Sequence, residues 1–134
     1  MLVKVFVMNG KKLFSLEFNF HCSPQLLFQY LSTPSGLSEW FADDVNVDRD
    51  GVYTFSWEGS EQQATLVSKK KNNHVRFKWL GSDEEYFEFL IQVDELTNDI
   101  SLIVTDFADD EDDKEDAVQL WDLQIDNLKK IIGS

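Results

Sequence analysis

The stretch DDKEDAVQLWDLQIDNLKKII, residues 112–132, decides the fold. Its apolar residues recur every three to four positions, which is the period of an α-helix. This stripe comprises Val118, Trp121, Ile125, Leu128 and Ile132. Leu120, Leu123 and Ile131 are predicted to widen it into a broad apolar face. So broad a face must be covered, and the remaining chain reads mainly as strands, so we expect a helix lying in a curved sheet.

The two ends of this helix carry suitable charges. Acidic residues crowd its start and two lysines occupy its last turn, and both placements stabilise the helix dipole. We predict that Asp112 with Glu115, or Asp113 with Asp116, caps the first turn. Gly133 is predicted to end the helix, because glycine adopts the left-handed conformation that a helix C-terminus favours.

The rest of the chain alternates between apolar and polar residues, as strands do. Short loops join the segments, so neighbouring strands should be antiparallel. Residues Asp43–Gly51 are predicted to be a polar connection. The predicted strands are Leu2–Met8, Leu13–Phe20, Val52–Trp57, Gln62–Ser68, His74–Leu80, Tyr86–Asp94 and Ile100–Phe107.

The N-terminal third combines a hairpin with two short helices. Asn9-Gly10 is a strong hairpin turn, although Met8 as the natural start, with residues 1–7 a frayed extension, is an alternative. Ser23-Pro24 and Thr33-Pro34 each begin a short helix, with Ser or Thr as N-cap and Pro in the first turn. We therefore predict an α+β fold in a single domain, 1–134, with a six- to seven-stranded antiparallel sheet.

Composition excludes several classes of function. The formal net charge of −13 argues against nucleic acids and anionic membranes as partners, because both are negatively charged. The single cysteine, Cys22, excludes an internal disulfide and fits a reducing compartment. No segment approaches the ~20 apolar residues of a membrane span. The expected location is the cytoplasm.

Two segments carry a resemblance to a known family. One is Ser23-Pro24 through Leu31-Ser32-Thr33-Pro34, and the other is Gly36-Leu37-Ser38-Glu39-Trp40-Phe41. Together with the segments Val75–Trp79, Leu102–Phe107 and Trp121–Leu128, they resemble the START-like (SRPBCC) superfamily. The resemblance is greatest to the branch related to the activator of heat-shock-chaperone ATPase. It covers residues 8–132, although many relatives carry His where Asp106 stands.

The resemblance implies a helix-grip fold, in which a curved sheet wraps around the C-terminal helix. It also implies an elongated apolar cavity between sheet and helix for a lipid-like or polyketide-like molecule. Members of the superfamily bind ligands, act on partner proteins, or catalyse cyclisation or dehydration. The fold alone does not choose among these functions.

The candidate ligand-binding residues are mostly aromatic. Such a set either lines an open cavity or fills the interior completely, since Phe and Trp are bulky. The candidates are Trp40, Phe41, Tyr53, Phe55, Trp57, Phe77, Trp79, Phe89, Asp106, Trp121 and Ile125.

Asp106 is the polar candidate, and its orientation depends on the strand. If Leu102 and Val104 face the interior, alternation turns Asp106 inward, where burial would raise its pKa and suit it to acid–base chemistry. Alternatively, Ile103, Thr105 and Phe107 face inward and Asp106 is solvated.

No catalytic residue, metal ligand or cofactor is predicted. His21, His74 and Cys22 cannot form a zinc site or a Cys–His pair without further ligands. Residues 46–51 imitate the start of an EF-hand loop, but Trp57 stands where the bidentate acid belongs, so a turn between strands is favoured. The acidic segment Asp109–Asp116 is interpreted first as a solvated loop that stabilises the final helix.

Three functions follow from these observations. The first is binding of a small hydrophobic ligand between the sheet and the C-terminal helix. The second is a protein-interaction or chaperone-regulating role, with the acidic surface docking a basic partner. The third, a cyclase- or dehydratase-type enzyme, has the least support because no acid–base pair is visible.

Overall fold

The structure is a computed structural model that describes residues 2–8, 11–82 and 84–134, with the backbone alone for residues 2–8. The predicted turn at Asn9-Gly10 and the residue Asp83 in the predicted turn at 81–83 lie outside the described residues. The described strands are β1 (Leu2–Met8), β2 (Lys11–Phe20), β3 (Asp44–Val47), β4 (Val52–Trp57), β5 (Ser60–Lys70), β6 (His74–Trp79), β7 (Tyr86–Val93) and β8 (Ile100–Ala108).

These strands form one sheet in the order β1-β2-β8-β7-β6-β5-β4-β3, and each neighbouring pair is antiparallel. Each consecutive pair from β3 to β8 is joined by a short connection. The two short helices lie between β2 and β3 in the sequence, and these two strands are not neighbours in the sheet. Instead β2 pairs with β8, which joins the N-terminal pair of strands to the other strands. The predicted antiparallel sheet is therefore confirmed.

The sheet has one strand more than the upper predicted number within the described residues. The additional strand, β3, lies inside the segment predicted to be a polar connection. Val45 is buried opposite Phe55 of β4, whereas its neighbours in β3 are exposed, so one apolar side chain anchors the strand. Asp48 Oδ1 then accepts hydrogen bonds from the backbone N–H groups of Asp50 and Val52. The EF-hand-like segment is thus a turn between strands.

The two short helices begin at the predicted residues. Helix α1 (Pro24–Ser32) is capped by the Ser23 side chain, and α2 (Pro34–Trp40) by the Thr33 side chain. The helices pack so closely that a Cβ atom on Gly36 would lie 2.2 Å from the backbone oxygen of Gln29. Any larger residue at Gly36 would force the helices apart.

Helix α3 (Glu111–Ile132) packs on the inner face of the sheet. Trp121, Ile125 and Leu128 are buried, and Val118 and Ile132 pack against the same core, as the apolar stripe predicts. The prediction of a broader apolar face is wrong, because the three residues that were expected to widen it are exposed: Leu120 (57%), Leu123 (69%) and Ile131 (37%).

The start of α3 also differs from the prediction. Asp110 is the N-cap, and its side chain accepts a hydrogen bond of 2.9 Å from the backbone N–H of Asp113. The predicted caps lie within the first turns of the helix, because the helix starts at Glu111. Its end agrees with the prediction, since Gly133 is left-handed (φ 84°) and donates its N–H to Lys129 O. No helix in the described part of the chain is long and apolar enough to cross a membrane.

The core lies between the sheet and the helices. Strand β2 contributes one row of buried side chains that face inward, as its alternation predicts. Strands β4, β6, β7 and β8 each contribute a similar row. Pairing places the rows side by side, for example Phe77 opposite Phe87 and Phe89 opposite Val104. The fully buried side chains include Phe14, Leu16, Phe55, Phe77, Phe89, Leu102 and Val104.

Candidate functional site

Aromatic rings fill the middle of the core. Phe41 follows α2 and touches six other rings, stacking on Phe87 and Trp121 at centroid distances of 5.2 and 5.6 Å. Phe77 stacks on Phe87 at 5.0 Å and meets Tyr53 edge to face at the same distance. At these separations the rings pack directly against one another. This part of the core is therefore filled.

An open groove lies at the edge of this ring cluster, between β4, β5, β6, β8 and the middle of α3. It has a volume of about 440 Å³. We call it the aromatic groove, and its lining residues are Phe41, Trp57, Gln62, Trp79, Asp106, Ala117, Leu120, Trp121 and Gln124.

Hydrogen bonds hold the walls of the aromatic groove in place. Phe41 O accepts from Trp57 Nε1 at 2.8 Å and from Gln124 Nε2 at 3.0 Å, so one backbone oxygen joins β4 to α3. Trp121 Nε1 donates to Asp106 Oδ2 at 2.9 Å and joins α3 to β8. The two indole rings thus keep fixed orientations, with their polar N–H groups turned into the protein.

Asp106 faces inward, in the same row as Leu102 and Val104. Of the two predicted orientations of β8, the structure therefore has the one that turns Asp106 towards the interior. Its carboxylate accepts hydrogen bonds from Trp121 Nε1 and from the backbone N–H of Phe107, the latter at 2.8 Å. Burial raises the pKa of Asp106 to about 6, these two hydrogen bonds lower it in part, and the nearby Glu85 carboxylate raises it. The carboxyl group is therefore poised to change charge near neutral pH.

A second groove, of about 800 Å³, continues from the first. The two share Gln62, Trp79 and Asp106, so Asp106 lies where they meet. We call the second one the polar groove, and its lining residues are Glu61, Gln62, Gln63, Trp79, Leu80, Gly81, Ser82, Glu85, Asp106 and Phe107.

The eleven predicted ligand-binding residues fall into two groups. Those that line the aromatic groove are Phe41, Trp57, Trp79, Asp106 and Trp121. Those that pack into the core without lining this groove are Trp40, Tyr53, Phe55, Phe77, Phe89 and Ile125. Trp40, for example, is 5% exposed and donates its indole N–H to Tyr30 O at 2.7 Å. A ligand-binding role for any of them stays a prediction.

Sequence reasoning missed four lining residues: Gln62, Ala117, Leu120 and Gln124. Three of them belong to α3, and with Trp121 they follow the spacing i, i+3, i+4 and i+7 from Ala117. That spacing marks one helix face, so the positions could have been found from Trp121. Gln62 carried no such signal, because a polar residue on a strand usually faces solvent.

The other singled-out residues have ordinary structural surroundings. The His74 ring lies within hydrogen-bond distance of Ser68 Oγ (2.8 Å) and Asn73 Oδ1 (2.9 Å). Burial raises the pKa of the Cys22 thiol, which makes it a weaker nucleophile. No group of three or more acidic, His or Cys side chains in the described part of the chain is arranged to hold a metal ion.

The acidic segment is only partly neutralised within the fold. Glu111 pairs with Lys12 and with Lys114. Lys11 lies 3.4 Å from Asp109 and 2.8 Å from Glu85. The pKa of Asp113 is nevertheless raised, chiefly by the charge of Asp110 and further by other acids nearby. Negative charge therefore remains uncompensated at the start of α3.

Comparison with solved structures finds relatives of this architecture. A Bacteroides fragilis protein with a solution NMR structure is 35% identical, with 91% of each chain covered and a TM-score of 0.63. The Aha1 dimer from Colwellia psychrerythraea is 18% identical, covers 86% of this chain and 91% of its own, and has a TM-score of 0.71. CalU16 from Micromonospora echinospora is 13% identical, with 98% and 81% covered and a TM-score of 0.71. The last two show a shared fold alone.

A search of curated proteins found no match. The model of the START-like superfamily domain matches residues 8–134, which is nearly the whole chain. The 35% identity to the Bacteroides fragilis protein likewise covers most of the chain, 91% of it. A curved antiparallel sheet around a long C-terminal helix, with two short helices between β2 and β3, is the helix-grip arrangement. The chain therefore belongs to the START-like superfamily.

Proposed function

We propose that this protein binds a small hydrophobic molecule in the aromatic groove. The observation that carries the proposal is the groove itself, which is lined by Phe41, Trp57, Trp79 and Trp121 together with Asp106. Binding sites for small molecules are concave and mostly apolar, with a few polar groups that orient the ligand. The single domain, 1–134, is the proposed unit of binding.

The size of the groove limits the ligand. A volume of about 440 Å³ lies near the lower end of the range for small-molecule sites, roughly 300–1,000 Å³. A lipid-like or polyketide-like molecule would place its apolar body against the tryptophans and Leu120. Leu120 is 57% exposed, so covering it would contribute to binding through the hydrophobic effect.

Binding is favoured over catalysis by the chemistry of the lining. Asp106 is the one titratable group among the described residues that line the aromatic groove. General acid–base catalysis of cyclisation or dehydration usually needs a second group to move a proton to or from the substrate. One carboxyl group held by two hydrogen bonds suits orientation of a ligand better than turnover.

Native mass spectrometry of the gently purified protein, followed by solvent extraction, tests the proposal. We expect an apolar adduct, or, for a bare protein, a rise in melting temperature with lipophilic compounds, because a ligand of the native state stabilises it. A bare mass combined with no shift across a broad panel would contradict the proposal.

The variant Ala117→Leu locates the site. Leucine at this lining position would occupy the groove, and its high helix propensity would preserve α3. We expect the ligand-induced shift to disappear. Gln119→Leu adds the same side chain at an exposed position of α3 that does not line the groove, so this control should bind as the unmodified protein does.

A second candidate function is docking of a basic protein partner through residues 109–116. The observation that favours it is the uncompensated charge around Asp113. Opposite charges speed association and specify orientation, and salt weakens such complexes. Asp109→Asn with Asp112→Asn should therefore reduce the recovery of a co-purifying basic partner. Unchanged recovery at low and high salt would exclude this role.

A further inference from the structure

We infer that the ligand of the two joined grooves is an organic cation, an amine whose apolar body lies in the aromatic groove and whose ammonium group lies beside Asp106. This inference rests on the proposed function and adds the chemical class of the ligand to it. Four features carry it: the charges of the lining, the free acceptor positions of Asp106, the indole faces, and the charge of the whole chain.

Every charged side chain that lines the grooves among the described residues is acidic: Glu61, Glu85 and Asp106. Lys11 pairs with Glu85 at 2.8 Å but does not line either groove, and no ion pair is formed by Glu61 or Asp106 in the described part of the chain. Two lining carboxylates are therefore left without a cation. An anionic head group would be repelled here, whereas an ammonium group would be attracted.

Asp106 keeps room for a ligand despite its two hydrogen bonds. An ionised carboxylate has about four acceptor positions, and the donors of Trp121 and Phe107 occupy one on each oxygen. The remaining positions lie on a side chain that lines both grooves. A protonated amine would supply the donors for them and form charge-assisted hydrogen bonds.

The aromatic walls add a second attraction for a cation. Trp57 and Trp79 are half-buried, and both line the aromatic groove. The face of an indole ring is electron-rich, and tryptophan is the strongest partner in cation–π contacts. An amine could therefore contact a ring face and the Asp106 carboxylate at once.

The charge of the whole chain acts in the same direction. A net charge of −13 raises the local concentration of cations and speeds their association. It disfavours fatty acids and acidic phospholipids at any groove on this surface. The lining chemistry and the long-range field thus select the same class of ligand.

A matched set of three probes tests the inference: 4-phenylbutylamine, 4-phenylbutan-1-ol and 4-phenylbutanoate. They share an aromatic body and a four-carbon chain but differ in the charge of the head group. We expect calorimetric titration of the full chain at pH 7.5 to show the amine binding at least about tenfold tighter than the alcohol, because only the amine forms a charge-assisted hydrogen bond with Asp106. The carboxylate should bind most weakly.

Asp106→Asn assigns the preference to one residue. The variant keeps an acceptor for Trp121 but loses the negative charge, so the amine should lose its advantage while the affinity for the alcohol changes little. Asp126→Asn, at an exposed position of α3 outside both grooves, makes the same change in net charge and should retain the preference.

The outcomes separate the two proposals. Equal binding of amine and alcohol would overturn the cation inference and leave the hydrophobic ligand in place. Tighter binding of the carboxylate would also overturn it. No binding of any probe, with no shift by other lipophilic compounds, would overturn both. A preference that survives in Asp106→Asn would remove Asp106 as the counter-ion.

Discussion

The filled core and the aromatic groove share strands β4 and β6 but differ in how tightly they pack. Phe55 and Phe77 are completely buried, whereas Trp57 and Trp79, two residues further along β4 and β6, are half-buried. All four point to the inner face of the sheet. Phe41 packs edge to face on Phe55 and Phe87 stacks on Phe77, whereas Trp57 and Trp79 line the groove together with the small Ala117 of α3. Aromatic side chains thus fill or line a site according to what faces them.

The largest expected effect is in the filled core. Phe77→Ala removes a ring that contacts Tyr53, Phe55 and Phe87, and it should lower the free energy of unfolding by about 3–5 kcal/mol. Urea denaturation measures this. Leu120→Ala, at the exposed rim of the groove, should cost less than about 1 kcal/mol. Similar costs for the two variants would mean that the core and the groove do not differ in packing.

The next effect concerns the charge of Asp106. Its pKa of about 6 in the folded protein lies above the ordinary value of 3.8, so between these values the folded state binds more protons than the unfolded state. The stability that Asp106 contributes is therefore highest at low pH and is lost as pH rises through 6. The variant Asp106→Asn does not lose stability in this way, because asparagine does not titrate.

We expect the free energy of unfolding of Asp106→Asn, minus that of the unmodified protein, to rise by roughly 1–3 kcal/mol from pH 4 to pH 7. Paired denaturation curves across this range give the difference, in which the titration of the other acids largely cancels. A constant difference would show that Asp106 titrates normally and that its site is well hydrated.

A smaller effect is expected where α3 begins, beside the groove. Asp110→Ala removes the hydrogen bond to the backbone N–H of Asp113 and should cost about 1 kcal/mol. Asp112→Ala removes the same charge in the first turn, two residues after the N-cap, where the side chain makes no capping hydrogen bond, and should cost only a few tenths. Thermal or urea denaturation compares the two variants, and a larger loss for Asp112→Ala would place the start of the helix later.

The smallest effect is expected on the outer side of α3. Leu123 is 69% exposed and does not line the aromatic groove, so Leu123→Gln should change the stability by less than about 0.5 kcal/mol and leave ligand binding intact. Denaturation and the probe titrations measure the two properties. A substantial loss of either would reveal a contact of this surface that the single chain does not show.

Most of the architecture follows from sequence, since local rules decide it. Period-two alternation placed the strands, Ser23 and Thr33 with their prolines placed the short helices, and the spacing of Trp121, Ile125 and Leu128 placed the buried stripe of α3. These signals need only a few neighbouring residues. Strand β3 was not predicted, because its single buried residue, Val45, does not form an alternating pattern.

The site depended on the tertiary structure. The sequence by itself determined that many aromatic residues would face one interior, but each of them satisfies the same alternation rule whether it fills a core or lines a groove. Which of these aromatic residues line the groove is decided only by the tertiary structure, which brings Ala117 of α3 to the same groove as Trp57 and Trp79 on distant strands. Likewise, the inward orientation of Asp106 was one of two allowed alternations until the indole of Trp121 was placed against it. Local periodicity says which side chains share a face, and only the packing of distant elements says what that face meets.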